Sequence, residues 1–91
     1  MTEPIPYTLE VTPESRNDLR KIAKLQAKRI INKLQWLAEH ATIVQHTSLK
    51  GEWEGYYRWR IGDYRAIYEL DHQGRVLLVA VIGHRREVYD E

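Results

Sequence analysis

The spacing of apolar residues changes period twice along this chain. Ile5 to Val11 alternates loosely and is rich in strand formers, which predicts a first strand. Thr12-Pro13 then supplies a cap residue and a proline at a first helical position, with Glu14 favourably placed against the helix dipole. Leu19, Ile22 and Ala23 keep helical spacing, as do Ala27, Ile30, Ile31, Leu34, Leu37 and Ala38, with lysines among the intervening positions. One long helix fits that spacing. Two helices joined near Lys24 to Gln26 fit it better, because a single helix of that length is unusual in so short a chain.

From Ala41 to Gly55 the periodicity lapses into a connection. Three strands follow, over Tyr56 to Ile61, Tyr64 to Leu70 and Val76 to Ile82, joined by a tight Gly62-Asp63 turn and by Asp71-His72-Gln73-Gly74. They predict an antiparallel meander. The last strand is apolar throughout, so it must be central with both faces covered or nearly so. The expected fold class is α+β, β-α-α-β-β-β, with two N-terminal helices packed on an antiparallel sheet.

Composition narrows the compartment and the chemistry. Ninety-one residues are expected to make one domain, 1–91. Without cysteine there is neither a disulfide framework nor a thiolate metal site, and a reducing cytoplasm is the natural location. No apolar run approaches membrane-spanning length, and the N-terminus lacks the basic-then-apolar layout of a signal peptide, so no membrane association is expected. Net charge is +1; residues 1–50 carry eight basic against five acidic side chains, residues 51–91 six against eight. That balance argues against strong non-specific nucleic-acid binding. It leaves a local arginine cluster, since six of the nine arginines follow Lys50 while every lysine lies at or before it.

The chemistry is concentrated there. In Tyr57-Arg58-Trp59-Arg60-Ile61, the two arginines share one face of a strand and Tyr57, Trp59 and Ile61 share the other. One face is thus built for burial. The other is built for anions, because the guanidinium is always charged and presents a planar fork of donors suited to phosphate. The segment reads as an RNA-facing sheet. His40 and His46 lack a helical metal spacing, no glycine-rich phosphate loop exists, and no serine has a matching histidine and acid, so neither metal nor nucleotide cofactor is expected.

The hairpin motif Arg58-x-Arg60-x-Gly62-Asp63-Tyr64-Arg65, the terminal Gly83-His84-Arg85-Arg86-x-x-Tyr89 and the two helices after a first strand together resemble the RelE branch of the RelE/ParE toxin superfamily. The resemblance covers nearly the whole chain. It implies a RelE-like fold and a type II toxin that cleaves mRNA on the ribosome without a metal, neutralised by a RelB-like antitoxin. It assigns catalytic roles to Arg58, Arg60, Arg65, Arg85 and Tyr89, and suggests Lys50 and Arg86 as substrate-binding residues. Better-known members carry lysine where this chain has Arg58 and Arg60. Arginine is too weak an acid to yield a base near neutrality, so His84, of the residue type that titrates near pH 7, is the candidate for that role.

The residues alone also fit plainer readings. Arg58 and Arg60 could line a solvated face opposite Glu52, Glu54 or Glu69; Arg65 could pair with Asp63 or Glu69; His84 could be a hydrogen-bonded histidine at a strand end. Tyr57, Trp59, Tyr64 and Tyr68 are expected in the core under the helices. Two other functions suit the superfamily: a ParE-like toxin that binds a DNA topoisomerase, and a degenerate member that binds antitoxin or RNA without cutting.

Overall fold

The computed structural model describes residues 5–84. Strand β1 (Thr8–Val11) leads into helices α1 (Pro13–Arg20) and α2 (Lys24–Glu39); β2 (Thr47–Ser48), a short 3-10 turn (Gly51–Trp53), β3 (Tyr57–Ile61), β4 (Tyr64–Asp71) and β5 (Val76–His84) complete it. The five strands form one sheet in the order β1-β5-β4-β3-β2. β2 to β5 pair antiparallel, and β1 joins β5 in parallel, the two helices making the crossover between the strand at one edge and the meander.

Local chemistry sets most boundaries. β1 begins at Thr8, three residues later than the alternation predicts, because Pro6 has no N–H and the Tyr7 N–H donates to the Ala38 carbonyl of α2 instead of to a strand. Thr12 caps α1 as its position predicts, its Oγ1 accepting the Ser15 N–H at 3.1 Å. The break between helices falls at Lys21–Ala23, a little before the expected joint, with Ala23 extended. Asp18 accepts the Ile82 N–H at 3.1 Å and so ties α1 to β5. Gly62 takes φ 59 in the β3–β4 turn, as a two-residue hairpin with glycine at its first central position requires.

The core lies between the helices and one face of the sheet. Ile30, Leu34, Leu37 and Ala38 of α2 pack against Ile61, Ala66, Tyr68, Leu77, Val79 and Ile82, with Tyr57, Trp59 and Tyr64 at the margin. At its edge, half-buried His46 donates from Nε2 to the Ala41 carbonyl at 2.8 Å, which leaves Nδ1 to accept the hydroxyl of the fully buried Tyr68. Burial first, and neighbouring Tyr57 second, push the Tyr68 phenol well above its ordinary value of 10.0. A raised folded-state value gives stability that is complete below pH 10 and is lost as pH rises beyond it, at up to about 1.4 kcal/mol per pH unit. Tyr68→Phe is therefore expected to flatten the alkaline part of a stability-against-pH curve. At pH 7 it should cost about 1 kcal/mol, because the hydrogen bond to the half-buried His46 ring is lost. Denaturant melts between pH 7 and 11 would check both; equal alkaline slopes would contradict this account.

A bulge decides the phase of β5. Tyr68 pairs with Val79 and Ile67 with Val81, so Ala80 is the extra residue. Thr12 Oγ1 donates to its carbonyl at 3.1 Å, while the buried Ser15 hydroxyl donates to Val79 O at 2.9 Å. The start of α1 thus clamps the bulge. Leu77 and Val79 face the helices, Val81 turns to the opposite face, and Ile82 turns back.

Candidate active site

The sheet face opposite the helices carries the arginines. Arg58 lies opposite Ile67, Arg60 opposite Arg65, and Arg65 opposite Gly83. Arg60 and Arg65 therefore stand side by side on adjacent strands, with Arg58 one step along β3. Two like charges placed directly opposite are mutually unfavourable, and an anion between them reverses the sign of that interaction. Arg65 is only 6% exposed, and its guanidinium donates to the carbonyls of Gly62 at 3.3 Å and Tyr64 at 3.1 Å. The turn so fixes the fork. Arg58 is half-buried and Arg60 exposed.

Lys50 is exposed at the start of the 3-10 turn. Arg85, Arg86 and Tyr89 lie outside the described residues. His84 does not join the arginine row. It pairs with Tyr64, and the two rings meet edge to face at 5.7 Å, on the face of the sheet that the helices cover. The other histidines are also elsewhere: His46 is half-buried against Tyr57 and Tyr68, His40 stacks on Trp36 at 4.3 Å, and His72 Nδ1 is 2.8 Å from the Tyr7 hydroxyl. Among the described residues, then, the arginine face carries no histidine. Nor is any group of three or more His, Cys, Asp or Glu placed to hold a metal ion among them.

Tyr57, Trp59, Tyr64 and Tyr68 do pack on the helix side, as expected of strand-borne aromatics. Two other aromatics share the arginine face. Trp53 and Tyr56, 5.2 Å apart and edge to face, cover a second apolar cluster of Leu49, Ile67 and Val81. The Glu69 carboxylate accepts from the Tyr56 hydroxyl and raises its pKa, through its charge first and this hydrogen bond second. The sequence signal was present in Trp53-Glu54-Gly55-Tyr56, aromatics bracketing a glycine just before the arginine strand. It lay within a stretch that lacks periodicity.

A family model described as the ParE toxin of type II toxin–antitoxin systems, parDE, matches residues 9–89. No curated protein matches the chain by sequence. Among solved structures, a chain of the Mycobacterium tuberculosis RelBE2 toxin–antitoxin complex aligns with a TM-score of 0.80 at 26% identity, over 89% of this chain and 93% of that one. The isolated Escherichia coli RelE toxin aligns with a TM-score of 0.70 at 20% identity, over 86% and 83%. A chain of the archaeal RelE–RelB complex of Pyrococcus horikoshii gives 0.70 at 20%, over 92% and 100%. The last two likenesses speak to the fold alone. No helix among the described residues is long and apolar enough to cross a membrane.

Proposed function

Because this chain belongs to the family of ParE toxins of type II toxin–antitoxin systems, within the RelE/ParE superfamily, we propose that it is a RelE-type endoribonuclease that cleaves mRNA on the ribosome. A RelB-like antitoxin holds it inactive in the cytoplasm, as the RelB partners of its structural neighbours suggest. The observation that carries this reading is the row of Arg58, Arg60 and Arg65 on the sheet face away from the helices, two of them directly opposite each other. A topoisomerase-binding surface does not require such a row.

In the proposed reaction the substrate's own 2′-hydroxyl attacks the adjacent phosphorus. The 2′ oxygen loses its proton, a bond to phosphorus forms, and the bond to the 5′ oxygen breaks as that oxygen takes up a proton. Negative charge builds on the non-bridging oxygens between these events, and preorganised donors aimed at them lower the barrier. Arg65, already fixed by the turn carbonyls, suits that task, and exposed Arg60 beside it can close on the phosphate. Arg85 and Tyr89 complete the site in this reading, with Lys50 and Arg86 holding the flanking strand.

His84 is not assigned the base here, since it faces Tyr64 across the sheet from the arginines. The role falls to a group the ribosome presents or to water, and the arginines contribute position and charge. His84→Ala is expected to change cleavage less than about threefold and to leave the pH–rate profile unaltered. Loss of one limb of that profile would restore His84 as the base.

Primer-extension mapping of transcripts after induction tests the whole proposal. Cuts confined to translated regions are expected. The family description favours one alternative, a ParE-like toxin acting on a DNA topoisomerase, and DNA damage without transcript cuts would establish it instead.

A further inference from the structure

Beside the arginine row lies a groove of about 380 Å³ that the reaction above does not use. Trp53 and Tyr56 line it together with Thr12, Pro13, Glu14, Ala80 and Val81. Its lining joins the start of α1 and the bulge to the aromatic pair, and Trp53, Tyr56 and Val81 belong to the second apolar cluster, on the arginine side of the sheet. Its size is near the small end of ligand pockets, which run from about 300 Å³ upward.

We propose that this groove is a nucleobase subsite, in which the Trp53 ring stacks on a base of single-stranded RNA flanking the cleaved linkage. The inference rests on the ribonuclease reading and adds to it a substrate contact outside the arginine and tyrosine machinery.

Charge and spacing favour RNA as the occupant. Tyr56 stands just before β3, two residues from Arg58 and four from Arg60, so at a rise of roughly 3.3 Å per strand residue its backbone lies about 7 and 13 Å from theirs, and the Trp53 ring packs on the Tyr56 ring. A strand whose phosphates follow the arginines therefore brings a neighbouring base over the groove. Inside it the chemistry reverses. Glu14 lines the groove and Glu69 holds the Tyr56 hydroxyl, so a phosphate is repelled while an uncharged ring is accepted. The Glu69 bond also fixes the Tyr56 ring, leaving less freedom to lose when a base stacks. A bulge clamped by Thr12 and Ser15 gives the groove a firm floor.

The test compares the full chain with Trp53→Leu, which keeps apolar cover but has no π face, and Trp53→Tyr, which keeps one. Titration of a fluorescently end-labelled, unstructured single-stranded RNA oligonucleotide with the protein, followed by the anisotropy of the label, is expected to show saturable binding. Trp53→Leu should abolish most of it and Trp53→Tyr should bind within about threefold of the original. In ribosome-programmed cleavage, the leucine variant should raise KM about tenfold with a much smaller change in kcat, the size expected for one stacked base. Equal RNA binding by the leucine variant would overturn the inference. So would a tyrosine variant as poor as leucine with both melting early, which would make Trp53 structural cover. Retained RNA binding with weakened antitoxin binding would identify the groove as a protein-docking surface. Should the original chain cleave no transcript, the ribonuclease reading fails by that result, and the titration still decides whether the groove accepts a base.

Discussion

Arg65→Ala should reduce mRNA cleavage by on the order of 100-fold or more, because the guanidinium acts mainly on charge that exists only in the transition state. Growth inhibition on induction should fall accordingly. Arg65 is also buried and bonded to the Gly62 and Tyr64 carbonyls, so the substitution carries a stability cost of about 1 kcal/mol that must be measured alongside. Arg65→Lys separates the two effects. It keeps a positive charge but lacks the planar fork, so it cannot hold two carbonyls and a phosphate together, and an intermediate rate is expected. Arg60→Ala gives a cleaner comparison, since Arg60 is exposed and its loss should slow cleavage with little change in melting. Wild-type transcript cutting by folded Arg65→Ala protein, at matched expression, would remove the arginine row from the mechanism.

The largest loss of stability is expected at Leu34→Ala. α2 has no side-chain cap at Ala23, so its place depends on burying Ile30, Leu34, Leu37 and Ala38 against the sheet. Leu34 is fully inaccessible. Truncating such a leucine removes its transfer free energy and leaves a cavity, about 3 kcal/mol together, a large part of what a chain of this size holds. The midpoint of thermal unfolding should fall by roughly 10–20 °C. A fall of less than about 3 °C would mean that α2 is held by something other than this contact. The kinetic signature distinguishes the two substitutions. Leu34→Ala should lose activity only as it unfolds, whereas Arg65→Ala should lose it while folded.

The sequence by itself determined what depends on near neighbours. Strand alternation put Arg58 and Arg60 on one face and Tyr57, Trp59 and Ile61 on the other, Thr12-Pro13 started a helix, and Gly62-Asp63 turned a hairpin, because side-chain direction, capping and positive φ are local properties. Charge and aromatic content then pointed to the hairpin as the place for anion chemistry. The relative phase of separate strands is not local. Val76 to Ile82 is apolar at every position, so it shows no alternation from which its facing could be read, and the bulge at Ala80 that sets it is held by Thr12 and Ser15, more than sixty residues away. Only the tertiary structure could therefore turn Val81 toward the arginines and His84 away from them. The same holds for Trp53 and Tyr56. Their stretch has no periodicity, and it was contact with Ile67 of β4 and Val81 of β5, together with nearby Leu49, that brought them to the arginine face.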